Sequence, residues 1–359
     1  MSHWVIELLK VWPGWCGNLG ALGISAVKFH AMRAAIITRP GGPEVLEVRE
    51  VPTPKPAADQ VLVRVHAAGL NRADILQRRG HYPAPPGAPQ DIPGMEFAGE
   101  IVEVGPEALL CRKGQRVFGI AAAGCYAEYL VAHDRAVVEF PQNLTWTEAG
   151  SIPEVFITAH DALWKQAALR PSQTVLIHAV GSGVGIAAVQ LARAMNAIPF
   201  GTSRTADKLE RARELGMEDG VALDASLAAL APAVERWTAK RGVDVVLDCV
   251  GGPYVSASLK VMAPHGRLIT ISQSAGSTAE LDLRALMSRR LMLRGTTLRM
   301  RPLEEKILAT RAFAEECVPL FARGVLRTII DSEFPLDQVQ AAHTRLESNQ
   351  TFGKVVLRI

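Results

Sequence analysis

One stretch of the chain has the residue types and spacing to hold a phosphate: His178-Ala-Val-Gly181-Ser-Gly183-Val-Gly185-Ile186. An apolar, β-rich run, Thr174–Val180, leads into it, and a helical pattern, Ile186–Ala194, follows. Glycine lets the backbone approach a pyrophosphate closely. The helix beginning there offers free N–H groups and a partial positive charge. The spacing departs from G-x-G-x-x-G, because Ile186 stands where the third glycine would be. A loop of this kind can be a mere turn, but its place on the first strand of an alternating β/α run argues for a nucleotide. Gly181, Ser182, Gly183, Val184 and Gly185 are therefore candidate cofactor contacts.

The end of the next strand, Ile198–Thr202, discriminates between cofactors. NAD sites want a carboxylate there, about 20 residues on, for the ribose 2′-hydroxyl. This chain has Gly201-Thr-Ser203-Arg204-Thr205 and then Lys208, and no acid precedes Asp207. Hydroxyls with two cations suit a 2′-phosphate, because charge-assisted bonds to phosphate are strong. The expected cofactor is NADPH, with Ser203, Arg204, Thr205 and Lys208 around its phosphate. Val250, Gly251, Ile271 and Ser272 end later strands, where doubly wound sheets bind ligands.

These residues need elements to position them. Residues 32 to about 150 read as short strands between Gly/Pro turns: Met32–Ile37, Val45–Val51, Gln60–His66, Phe97–Val104, Gln115–Gly119 and Tyr126–Val131. That spacing predicts an all-β barrel. The stiff loop His81-Tyr82-Pro-Ala-Pro-Pro-Gly87 reads as a pocket wall. Then the pattern changes. A helix is predicted over Glu148–Gln166. Beyond it, apolar strands (Thr174–Val180, Ile198–Thr202, Val221–Leu223, Val243–Val250, Arg267–Ile271, Leu291–Thr297) alternate with helices (Ile186–Ala194, Ala206–Leu215, Leu227–Lys240, Tyr254–Met262). This predicts an α/β fold with a doubly wound parallel sheet. A long helix from Leu303 to about Arg323 leaves that sheet, and the tail strand Gly353–Arg358 is expected to return to the barrel.

The expected division is an extension over 1–31, a barrel from 32–155 with 300–359, and a cofactor domain over 156–299. The extension stands apart in composition. Its apolar run Leu19–Val27 is shorter than the roughly 20 residues a bilayer requires, and its charges are wrongly placed for a signal peptide. It is expected to be a poorly ordered extension.

The 359 residues suffice for two domains, and 48% hydrophobic with 21% charged residues excludes a disordered or collagen-like chain. A net charge of +3 argues against nucleic acid as a partner. The five cysteines (Cys16, Cys111, Cys125, Cys249, Cys317) form no C-x-x-C pair, so neither a disulfide framework nor a zinc knuckle is expected. A reducing compartment is the natural reading, and a cytoplasmic setting without membrane attachment is expected. His66, His133, His160 and His178 have no ligand spacing and read as structural.

The chain resembles the zinc-independent quinone oxidoreductases of the medium-chain dehydrogenase/reductase superfamily, in their p53-inducible branch. The resemblance rests on Pro40–Glu44, Leu70-Asn-Arg-Ala-Asp74, Gln77–Gly87, Gly124–Tyr129, Ile152-Pro-Glu154, the glycine loop, Asp248–Gly252 and Gly353–Leu357. It covers Met32 to Ile359. It implies a GroES-like barrel and a Rossmann domain, with NADPH between them. It also places Asn71 and Tyr82 at the active cleft: Asn71 to donate to a quinone oxygen, Tyr82 to stack on the acceptor or bond to it. Thr158 resembles the residue beside the nicotinamide, and Gly353 and Lys354 are expected to close over the cofactor. Zinc-dependent relatives carry a Cys where this chain has Leu70-Asn71, and a His-Glu pair where it has Met95-Glu96. No metal is therefore expected.

The expected function is NADPH-dependent reduction of small quinones by hydride transfer. Two alternatives share the features: an NADPH-dependent enoyl or enone reductase, and a non-catalytic NADPH- or RNA-binding protein. The apolar edge strand Leu291–Leu298 predicts a homodimer.

Overall fold

The computed structural model describes Ala31–Ile359. The extension expected over 1–31 falls outside the described residues but for Ala31, which opens the first strand.

The first half builds β1 (Ala31–Ile37), β2 (Leu46–Pro52), β3 (Gln60–Gly69), α1 (Arg72–Arg78), β4 (Glu96–Val104), β5 (Arg116–Ile120), β6 (Tyr129–His133) and β7 (Val137–Glu139). Its alternating residues point inward as a strand's period of two requires: Val61, Val63 and Val65 of β3 meet Phe97 and Ile101 of β4 in one core. β1 and β2 form a two-stranded sheet of their own, and two late strands complete the sheet of the rest. They are β14 (Ile330–Pro335) and β15 (Lys354–Arg358), in the order β14-β15-β3-β4-β5-β7, with β6 also on β3. The last strand of the chain thus lies antiparallel against β3.

Between the halves run α2 (Trp146–Gly150), α3 (Pro153–His160) and a π-helical turn, Asp161–Gln166. The sequence predicts one helix over Glu148–Gln166. The chain breaks it at Pro153, which has no N–H to continue a helix yet suits the first turn of a new one.

The second half is a parallel sheet: β8 (Thr174–Ile177), β9 (Ile198–Ser203), β10 (Asp219–Ala222), β11 (Val243–Asp248), β12 (Met262–Thr270) and β13 (Met292–Gly295), in the order β10-β9-β8-β11-β12-β13. The crossover helices are α4 (Gly183–Ala194), α5 (Ala206–Arg213), α6 (Leu230–Trp237) and α7 (Pro253–Val261), followed by the short α8 (Leu283–Ser288). This is the doubly wound order, whose switch point between the first and fourth strands opens a crevice at their C-terminal ends. The helix predicted from Leu227 starts at Leu230, since Leu227 itself has φ +56 and cannot be helical.

The chain then leaves through α9 (Leu303–Ala322) and, after β14, α10 (Val339–Glu347). One apolar core joins both halves: Phe118 and Phe140 of the barrel side lie with Phe156, Ile186 and Phe313. Among the described residues, no helix is long and apolar enough to cross a membrane.

Candidate functional site

The site forms where the glycine loop meets the start of β15. Ser182 caps α4, its hydroxyl accepting from the N–H of Gly185 at 3.1 Å. The loop passes so close to its surroundings that a side chain would not fit. A Cβ on Gly183 would lie 2.8 Å from Val155 Cγ1 and 2.9 Å from Lys354 Cδ. The loop's predicted members stay together: Gly181 accepts from the N–H of Gly353 at 3.2 Å, Gly185 is buried, and Val184 is half-buried beside the core.

Beneath the loop, His178 is fully buried between the hydroxyls of Thr202 (2.9 Å) and Ser258 (2.8 Å). Burial pushes this imidazole down to about 4, against the pull of Asp248. It therefore holds the loop's base as a neutral ring.

The strand ends converge on the same edge. Asp248 accepts from the N–H groups of Val250 and Gly251, each at 2.9 Å, and from the Thr270 hydroxyl at 2.9 Å. Gly251 needs its φ of +78, and a Cβ there would fall 2.8 Å from Gln273 Cα. Ile271 donates its N–H to the Asp248 carbonyl at 3.0 Å, and the Ser272 hydroxyl accepts from the N–H of Ser274 at 3.3 Å.

At the end of β9 the Ser203 hydroxyl accepts from the N–H of Thr205 at 3.2 Å, and Arg204 and Thr205 are exposed. Arg204 has no hydrogen bond or ion pair among the described residues. Lys208 donates to the Asn349 carbonyl at 2.7 Å, and Arg72 donates to the Asn349 side chain at 2.8 Å. Burial, and then the charge of Arg204, pushes Arg72 down. Three cations thus share a corner, and none of them pairs with a carboxylate among the described residues. Sequence reasoning missed Arg72 because it lies in the barrel half, and no spacing in the chain links it to β9.

The second group of candidate residues is built on α1. Asn71 is its N-cap, with a reciprocal capping box to Asp74. The Asn71 amide is largely engaged: Nδ2 donates to Glu96 Oε1 at 2.9 Å, and Oδ1 accepts from Lys354 Nζ at 2.7 Å. The second Nδ2 hydrogen has only a 3.4 Å contact to the Gly69 carbonyl. Lys354 corrects an expectation. Its ammonium does not face the glycine loop, because Leu70 O (2.5 Å), Asn71 Oδ1 and Glu96 Oε1 (2.6 Å) use its three donors. Only its alkyl stem backs Gly183.

Asp74 is buried and accepts from the Tyr126 hydroxyl at 2.8 Å. Burial pushes it up to about 6, while the bonds from Tyr126 and the Asn71 N–H pull it down. Tyr82 is half-buried, with its hydroxyl 3.2 Å from Thr297 Oγ1. Arg299 sits over its ring at 5.0 Å and donates to its carbonyl at 3.2 Å, which fixes the loop. Thr158 is half-buried on α3, one turn after Glu154 and on the same face. Burial raises the thiols of Cys125 and Cys249, so neither is an activated nucleophile. Among the described residues, no group of three His, Cys, Asp or Glu is placed to hold a metal ion.

A nicotinamide dinucleotide fits this cradle on the structure's own terms. The glycine positions admit backbone where a Cβ would collide, the α4 N-terminus opens at the C-terminal end of β8, and a cationic corner stands beyond the end of β9.

Comparison with known proteins agrees. Residues 57–142 match the GroES-like domain of alcohol dehydrogenases, and residues 218–357 match the zinc-binding dehydrogenase family. A human quinone oxidoreductase is 30% identical over 91% of this chain and 97% of its own. One from Pseudomonas aeruginosa is 32% identical over 88% and 96%. A mycobacterial protein solved in complex with NADPH superposes with a TM-score of 0.80 at 27% identity, covering 91% of this chain and 100% of that one. With its α/β fold and its nicotinamide cradle, this chain is an oxidoreductase that belongs to the quinone oxidoreductases of the medium-chain dehydrogenase/reductase superfamily.

Proposed function

We propose that the protein reduces small quinones with NADPH, by hydride transfer and without zinc. The observation that carries this reading is the junction at Lys354. Its stem backs Gly183 of the phosphate loop while its ammonium holds Asn71, so the cofactor cradle and the reaction side share one residue.

Gly181, Ser182, Gly183, Val184 and Gly185 would hold the pyrophosphate. Ser203, Arg204, Thr205 and Lys208 would hold the 2′-phosphate, with Val250, Gly251, Ile271 and Ser272 along the strand edge and Thr158 beside the nicotinamide. The bound cofactor supplies the hydride, and the protein orients the acceptor and excludes water. Asn71 has one weakly held amide hydrogen to turn toward a carbonyl oxygen. Tyr82 offers its ring to an aromatic acceptor, steadied by Arg299.

The donor set supports a metal-free reaction. Asn71 and Met95 replace thiolate and imidazole. Glu96 is committed through Oε1 to Lys354 and Asn71 and through Oε2 to the N–H of Glu154 at 2.9 Å. A quinone is already electrophilic and needs less Lewis-acid help than an alcohol or aldehyde.

Quinone-dependent NADPH oxidation in the presence of a strong chelator tests this reading. Unchanged turnover is the expected result, and loss of activity that added zinc restores would overturn it.

A further inference from the structure

Glu154 is the second residue of α3, and its N–H donates to Glu96 Oε2 at 2.9 Å. Its own carboxyl is half-buried and has no hydrogen bond or ion pair among the described residues. Charged groups face it from every side. Glu96 comes from β4, Lys354 from β15, Asp74 from α1, Arg299 from the segment after β13 and Lys306 from α9; the Cys125 thiol adds a further titratable group. The cations nonetheless bind elsewhere. Lys354 is held by Leu70, Asn71 and Glu96. Arg299 donates to Ala122 O (2.7 Å), Tyr82 O (3.2 Å) and Gln77 Oε1 (2.5 Å). Lys306 donates to the Arg299 carbonyl at 3.2 Å. A partly exposed carboxyl left without a partner, beside the Glu96 that holds Asn71, is free to serve an acceptor bound at Asn71.

We propose that Glu154 is the proton donor of the reduction, passing its carboxyl proton to the carbonyl oxygen of the acceptor. This rests on the quinone-reductase reading. The acceptor gains two electrons and one hydrogen as the hydride supplied by the bound cofactor, and one proton as the Glu154 O–H bond breaks. The product is the neutral hydroquinone, and the Glu154 carboxylate regains its proton from water. The neighbouring groups are less able to do this. Asp74 is occupied by Tyr126 and the Asn71 N–H, and the Tyr82 hydroxyl pairs with Thr297. Burial, with the Glu96 carboxylate next, pushes Glu154 up to about 8 despite the pull of Lys354, so the acid is protonated at neutral pH.

Two measurements test the proposal. The first is the pH dependence of kcat for quinone reduction in wild type, E154Q and E154D. Wild-type kcat falls as pH rises through about 8. E154Q loses about 10²-fold in kcat and its alkaline limb, with NADPH affinity unchanged, and E154D recovers part of both. E154Q with wild-type kcat and the same alkaline limb would overturn the assignment while leaving the quinone reading intact. The second is infrared spectroscopy of the ligand-free protein, following the carbonyl band of a protonated carboxyl that is missing from E154Q. A band that titrates near pH 8 is the expected result; the same band with no quinone turned over would count against the functional reading rather than against the protonated state of Glu154. A Glu154 already ionised at pH 6 would overturn it.

Discussion

Lys354 and Glu96 form a buried ion pair, Nζ to Oε1 at 2.6 Å, with side-chain exposures of 5% and 0%. The pair reaches from β15 across β3 to β4, and Asn71 bonds to both partners. Two buried charges are tolerable because every donor of the ammonium has an acceptor, and the glutamate receives three hydrogen bonds. The last strand is thereby locked to β4 and to the start of α1.

Removing one partner strands the other charge. Lys354→Met is expected to cost about 3–5 kcal/mol, read as a lower midpoint in urea. Lys354→Met with Glu96→Gln should cost less than the two single changes summed, because the pair acts as one. Strict additivity would show that the two side chains do not interact.

On the proposed reading, the cationic corner selects NADPH over NADH. Arg204→Ala and Lys208→Ala should each weaken NADPH binding about tenfold, the worth of one charge-assisted bond, and leave NADH affinity unchanged. Calorimetric titration with both cofactors checks this. Equal losses for NADPH and NADH would place these residues away from the 2′-phosphate.

Acid should destabilise the fold through two buried imidazoles. Burial pushes His178 down to about 4, and burial together with the charge of Arg78 pushes His343 down to about 3. Both rings stay neutral in the folded protein but take up a proton below about 6.5 once unfolded. Their contribution is therefore whole above that pH and declines as pH falls toward the folded values, by up to about 1.4 kcal/mol per pH unit for each ring. Urea midpoints at pH 7 and pH 5 should differ accordingly, and equal midpoints would contradict this.

β13 pairs with β12 on one side only, and nearby α8 leaves Leu283 60% and Met287 70% exposed. An apolar edge of this kind invites pairing with a second copy. Light scattering is expected to give a homodimer for the wild type and a monomer for Leu283→Lys with Met287→Lys. A monomeric wild type would contradict the expectation.

The strongly periodic segments were readable from sequence. The strand–glycine loop–helix unit at 174–194, the alternating sheet and the closing strand need only local pattern. What escaped was non-local. Asn71 reads as a free amide, and only the fold brings Lys354 to it from the far end of the chain. Lys354 reads as a cofactor contact, yet its ammonium turns to three acceptors that are distant in sequence. α1 is the exception: it is short and rich in charge, and the Asn71–Asp74 capping box that starts it is a local signal. β14 and α10 are fixed by packing onto β15 and the barrel. Glu154 lay inside a recognised motif, but its lack of a partner is a property of three dimensions.

The identity of the acceptor decides between the readings of the site. NADPH oxidation should be measured side by side with an ortho-quinone such as phenanthrenequinone and with crotonyl-CoA, at neutral pH and with chelator present. Turnover of the quinone, with crotonyl-CoA left unreduced, is the predicted result. Reduction of crotonyl-CoA without the quinone, or tight NADPH binding with turnover of neither, would contradict it.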